Sequence, residues 1–171
     1  MTTDIARLIT TLRDVSLAER SQAAEQLCHL GAEAQEAAVA LVRACADDEE
    51  EVREWAVAAL EDIGPPAAAD LHALTALVAD KNRDVGYWAA TLLGRLGAPA
   101  AAAVPALAGA LSGPVDSAVR QRAAWALGQI GPPAAAARSQ LQQAASSHDP
   151  RLARLAQQSL QQLGGGAGTG S

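Results

Sequence analysis

A chain of 171 residues, half of them apolar and with a net charge of −6, is long enough to bury a substantial core as one domain or one short array of repeats. Its acidity argues against nucleic acid as a partner. Its uncharged stretches are broken by Arg95, Pro99, Pro105 and several glycines, which argues against a signal peptide or a membrane span.

The apolar half is mostly alanine, leucine and valine, with no Phe, one Tyr and three Trp. Such a composition favours helix over strand, and it requires the helices to approach closely. Cys28 and Cys45, the two cysteines, make neither a disulfide framework nor a zinc spacing and fit a reducing, cytoplasmic setting. Charge is unevenly spread: Met1 to Gly64 hold 14 acidic and 5 basic side chains, whereas Pro65 to Ser171 hold 5 acidic and 8 basic. The two ends can therefore favour different partners.

The first predicted element is "DIARLITTLRD", residues 4–14, a short helix carrying Leu8 and Leu12. Beyond it a Leu-x-x-(Leu/Ile)-Gly element recurs, with its first leucine at Leu27, Leu60, Leu93, Leu127 and Leu160, at spacings of 33, 33, 34 and 33 residues. A fixed period of this size marks a repeat architecture. In the copy that starts at Val52, apolar residues fall at Val52, Trp55, Ala56, Ala59, Leu60 and Ile63, the stripe of a helix with one buried face. We term this helix A. Gly64 can cap it in a left-handed conformation, and Pro65 and Pro66 stop it.

A second periodic segment, helix B, follows each glycine, with Leu41, Leu74, Leu107 and Leu141 each ten residues beyond it. The unit is a helical hairpin. In the third copy Pro105 predicts a loose turn over Pro99 to Ala103 and a helix from Val104. Asp80, Asn82, Asp84 and Ser117 are candidate caps for the next A helices. The reading is a single repeat domain over 1–163: a B-type cap at 4–14, repeats near 17–48, 50–81, 83–114 and 117–148, and a terminal helix at 150–163. That last helix sets Gln157, Gln158, Gln161 and Gln162 away from its leucines, as a solvated end should. The run "GGGAGTGS", 164–171, reads as a flexible tail.

The segments "VREWAVAALEDIG", "VGYWAATLLGRLG" and "VRQRAAWALGQIG", with weaker copies in "ERSQAAEQLCHLG" and "LARLAQQSLQQLG", resemble the HEAT repeat family, specifically the short bacterial-type repeats also found in phycobilisome bilin lyases. The resemblance covers residues 5–164. It implies an all-α, right-handed α–α superhelix (α-solenoid) of about five hairpins, with the B helices lining a concave face. It also implies an arginine, after the first valine of helix A, that bonds an acidic residue near the preceding turn. Arg20, Arg53 and Arg120 hold that place, and Asp14, Asp47 and Asp80 recur at the same period, so an Asp–Arg ladder is expected. Gly86 and Ala153 depart from it.

Chemistry-bearing motifs are few. Trp55 and Trp88 lie on the core stripe, whereas Trp125, six residues past Val119, is turned roughly 130° from the stripe centre, to a flank or the surface, where an exposed Trp can anchor a partner. Asp47 to Glu51 suits a solvated helix start and lacks the ligand pattern of a calcium loop. Arg122, Arg138, Arg151 and Arg154 give the C-terminal half its positive excess. Helix B of the third copy, "VPALAGALSG", is uncharged, and either an apolar binding strip or tight packing between repeats accounts for it. Cys45 occupies a core place and Cys28 matches Gly94 and Gly128. His29, His72 and His148 fall in different registers, and no His-Glu dyad, catalytic triad or phosphate loop is present.

We therefore expect a non-enzymatic scaffold, without cofactor or metal, that binds another protein on the concave helix-B face. Trp125, His72, Arg122 and Arg138 are the candidate partner-binding residues. The resemblance also supplies the rival expectation, a tetrapyrrole-handling or chaperone role of the bilin lyase kind.

Overall fold

The computed structural model describes residues 4–14 and 16–164, and among them there are helices and turns but no strand. The glycine-rich run expected to be flexible lies, from residue 165 on, outside the described residues. In chain order the α-helices are α1 (Ile5–Thr11), α2 (Leu17–Leu30), α3 (Ala38–Ala44), α4 (Glu50–Asp62), α5 (Leu71–Leu77), α6 (Arg83–Leu96), α7 (Val104–Ala110), α8 (Ser117–Ile130), α9 (Arg138–Ala145) and α10 (Pro150–Gly164). Long A helices alternate with short B helices, because much of each B segment is spent on a 3₁₀ turn. These turns run Gly31–Ala37, Ala68–Asp70, Ala98–Ala103 and Pro132–Ala137.

The 3₁₀ turns have a sequence cause. In a 3₁₀ helix residues i and i+3 eclipse one another, and the pairs Ala34/Ala37, Ala100/Ala103 and Ala134/Ala137 are all fully buried. Two small side chains thus point together into the core. The equivalent pair after Gly64 is Ala67 and Asp70, so a carboxylate stands where the other copies have alanine. Asp70 Oδ2 is buried and unpartnered among the described residues, and burial pushes its carboxyl above the ordinary range despite a backbone bond from Ala67.

Three of the long helices, α6, α8 and α10, begin at side-chain caps. Asn82 accepts hydrogen bonds from the N–H groups of Asp84 and Val85 (2.9 and 3.2 Å), and Asp149 accepts from Arg151 and Leu152 (2.9 and 3.2 Å). For α8 the cap is Asp116, which accepts from Ala118 N–H at 2.8 Å. Ser117, expected there, lies already inside the first turn. Asp80 accepts from Asn82 N–H in the loop (2.8 Å), and Asp84 sits in the first turn of α6. Gly64 and Gly97 close α4 and α6 at φ of 70° and 69°, which only glycine adopts without strain.

The described residues pack as two compact units, divided between Asp70 and Leu71. In the first, α1 and α4 flank α2, and α3 packs on α4; Leu8, Leu12, Leu27, Leu41 and Cys45 are among its buried residues. In the second, α6, α8 and α10 lie side by side, while α5, α7 and α9 each pack on the A helix that follows. Gly94 and Gly128 set that spacing. A Cβ on Gly94 would strike the Trp125 ring and come within 3.1 Å of the Ala126 Cα, and one on Gly128 would come within 3.1 Å of the Ser159 Cα. Ser159, buried between helices, donates its hydroxyl to the Ala124 carbonyl at 2.6 Å.

Candidate functional site

The second unit carries an aromatic and basic cluster on its layer of A helices. Arg122 and Trp125 are three residues apart on α8 and so share a face. The Arg122 guanidinium lies 4.8 Å from the Trp125 ring centroid and 4.6 Å from that of Tyr87 on α6, and it donates a hydrogen bond to the Tyr87 hydroxyl. Two rings thus hold one cation by cation–π attraction. Tyr87 in turn meets Trp88 edge-on, with centroids 5.6 Å apart, which ties the cluster to a core indole that is 7% exposed.

Two open clefts meet at this cluster. The smaller, about 60 Å³, is lined by Tyr87, Ala118, Gln121, Arg122, Trp125, Arg151 and Leu155. The larger, about 370 Å³, is lined by Trp125, Gln129, Leu155 and glutamines of α10. Trp125 and Leu155, each half-buried, belong to both. Gln121 donates to Asp149 Oδ2 at 2.8 Å, and this bond, with those from the α10 backbone, holds the Asp149 carboxyl below the ordinary range.

Trp125 therefore stands on a flank: one part of its ring packs over Gly94 while another faces the clefts. Arg122 joins it. His72 is exposed on α5 and Arg138 is exposed at the start of α9; neither lines these clefts. Tyr87 and Leu155 went unnoticed as site residues. The available signal was register, since Tyr87 occupies in its repeat the place of Gln121, next to Arg122 on the neighbouring helix. Trp55, expected in the core, is half-buried. Its indole rests with its ring centroid 6.0 Å from that of His29.

Arg20, Arg53 and Arg120 share a different contact from the one expected. Each donates to a carbonyl of the turn before its helix: Arg20 to Asp14 (3.1 Å), Arg53 to Asp47 and Asp48 (2.7 and 2.8 Å), and Arg120 to Gly113 (3.1 Å). A backbone carbonyl is present in every turn, whereas Pro114 takes the aspartate's place before α8. A carboxylate rung forms from Arg20 to the following turn, where Nε and Nη2 meet Asp47 at 2.8 and 3.0 Å. Burial alone would raise the Asp47 carboxyl, but the bonds from Arg20 and from the Glu49 N–H, with the charges of Arg20 and Arg53, outweigh it and hold the group below its usual range.

Partial burial, with Asp62 and Glu61 nearby, pushes the Cys28 thiol up, away from nucleophilic chemistry. Glu19, bonded to and repelled by Asp14, is also raised. Among the described residues no group of three or more His, Cys, Asp or Glu is placed to hold a metal, and no helix is long and apolar enough to cross a membrane.

Repetition at 33–34 residues, long helices in a side-by-side layer and short helices packed against them define a helical-repeat protein of the α-solenoid class. A family profile described as HEAT repeats matches residues 71–161, and the chain belongs to the HEAT repeat family. No curated protein matches it. Among solved structures, one similar chain comes from the complex of CpcE and CpcF of phycocyanin lyase from Nostoc sp. PCC7120, with a TM-score of 0.66, 24% identity, 95% of this chain covered and 66% of that one. An engineered protein gives 0.64 at 22% identity, covering 95% of this chain and 80% of that one. A designed armadillo repeat protein in complex with the peptide (KR)4 gives 0.63 at 18%, with 93% and 81% covered. At these identities the likeness is one of fold.

Proposed function

We propose that this chain is a non-enzymatic scaffold, working in a reducing, cytoplasmic compartment, that binds another protein through the A-helix layer of its second unit, with Trp125 as anchor. The observation that carries this is the half-buried Trp125 ring beside Leu155, braced by Arg122 and Tyr87 at the junction of two open clefts. Trp and Arg in partly enclosed, pre-organised positions are the residues that most often dominate binding energy. The helix-B side, where sequence alone put the partner, offers less. In α7 the leucine and valine are buried, and Pro105, Gly109 and Ser112 beyond it are what faces solvent. His72 and Arg138, on α5 and α9, extend the contact only if the partner also reaches that side.

The rival reading, tetrapyrrole handling in the manner of a phycocyanin lyase, draws on the same pairing of guanidinium and aromatic groups. It calls for enclosure, and these clefts are open. Affinity capture from a bacterial lysate, comparing the protein with Trp125→Ala and with a variant neutralised over Asp47 to Glu51, separates the two. The scaffold reading requires one protein enriched by the parent and lost with Trp125→Ala. If a pigment co-purifies and no protein depends on Trp125, the scaffold reading falls to its rival.

A further inference from the structure

We propose, resting on the reading of the Trp125 clefts as a docking surface for protein, that the occupant is an acidic peptide segment in which carboxylates alternate with apolar side chains. The case is charge complementarity within a fixed frame. The charged side chains lining the two clefts are Arg122 and Arg151, and no carboxylate lines either one. Among the described residues neither guanidinium is ion-paired. Asp149, the carboxylate that does feel Arg151, has both oxygens engaged by Gln121 and by the N–H groups of Arg151 and Leu152.

Arg122 is pre-organised. The Tyr87 and Trp125 rings lie 4.6 and 4.8 Å from its guanidinium and the Tyr87 hydroxyl takes one of its N–H groups, which leaves the remaining N–H groups as donors with capacity to spare, and an anion is what such a guanidinium recognises best. Trp125 and Leu155, common to both clefts, supply the apolar contact between the two charges. A peptide whose carboxylates are interspersed with apolar side chains satisfies both demands.

The test is fluorescence anisotropy with a short fluorescein-labelled peptide in which glutamate and leucine alternate, against the same peptide with glutamine for glutamate and against (KR)4. The proteins are the parent chain, Arg151→Glu and Trp125→Ala, each checked by thermal melting. Arg151 is exposed in the first turn of α10, where a negative charge is favoured, so Arg151→Glu is expected to fold, and its melting curve separates a loss of binding from unfolding. The glutamate peptide is expected to bind, to weaken as salt is raised, to weaken about tenfold with Arg151→Glu, and to weaken with Trp125→Ala.

Binding of the glutamine peptide or of (KR)4 as tightly as the glutamate peptide, in a Trp125-dependent way, overturns the acidic partner while leaving the docking surface standing. Failure of every peptide to respond to Trp125→Ala overturns both. Self-association that Arg151→Glu abolishes, seen by sedimentation, overturns the external partner in favour of the acidic run of a second copy.

Discussion

Replacing a helical glycine by alanine is a small change whose sign here depends on the neighbour, and Gly94 and Gly109 make a matched pair. In each case alanine gains about 0.5–1 kcal/mol from reduced backbone freedom and better helix propensity. At Gly109, in α7, the new methyl meets nothing within 4 Å, so that gain should survive. At Gly94 it would overlap the Trp125 ring and come within 3.1 Å of the Ala126 Cα. Overpacking of this kind costs about 1–3 kcal/mol. The net for Gly94→Ala is a loss of about 1 kcal/mol.

For a chain of this size each kcal/mol moves Tm by about 2–4 °C, so melting curves followed by circular dichroism should shift down for Gly94→Ala and up for Gly109→Ala. The indole can swing away, but the Ala126 backbone cannot, so a Trp125→Ala background should relieve the Gly94→Ala penalty in part. A non-zero coupling energy between the two sites is therefore expected. If Gly94→Ala stabilised the protein as much as Gly109→Ala, the close approach of α6 and α8 would be refuted.

Leu60→Ala should destabilise by about 2–5 kcal/mol, since the side chain is fully buried and its removal leaves a cavity; an unchanged Tm would contradict the stripe assignment. Asp70→Ala, which restores the alanine that three other turns carry, should stabilise at neutral pH by about 0.5–2 kcal/mol, read as a rise in the urea midpoint. Because the Asp70 carboxyl is raised in the folded state, that advantage should shrink as pH falls through its titration. Asp47 behaves oppositely: its folded pKa is depressed, so its contribution is complete above the ordinary aspartate range near pH 4 and is lost as pH falls through the depressed value. Asp47→Asn should therefore flatten the acid limb of a stability-against-pH curve, and an unchanged limb would show that the Arg20 pair contributes nothing.

The period and the stripe of each A helix were legible because burial repeats on a helical schedule. Leu27, Leu60, Leu93 and Leu127 are all fully buried, and the register alone places them. The division of each B segment into a 3₁₀ turn and a short helix was visible only in part. Pro99 and Pro105 announced it in the third copy, whereas the first copy makes the same turn without a proline, from alanines at i and i+3. The contacts of the Asp–Arg ladder were legible only in part, for a similar reason. Sequence shows side chains, and the acceptor that all three arginines use is a backbone carbonyl, which every residue carries and no residue advertises.

Repetition also decides where function can be sought, because whatever recurs in every copy is spent on packing. Information about a partner has to lie in the departures. Trp125 stands where the other long helices carry Glu25, Ala58, Thr91 and Gln158, and it fits only because Gly94 stands opposite, where α2 and α4 have Cys28 and Glu61. Arg122 likewise replaces the tryptophans at Trp55 and Trp88 with a cation, and Tyr87 is the lone tyrosine. Three singular residues and one permissive glycine converge at one point of an otherwise monotonous layer. Packing alone did not require this, since α4 fills the same register places with Glu54, Trp55, Ala58 and Glu61 and α10 fills them with Arg154, Leu155, Gln158 and Gln161. A chain with so few aromatic side chains that gathers a tyrosine and a tryptophan around one arginine beside open clefts has concentrated there the residues best suited to recognition.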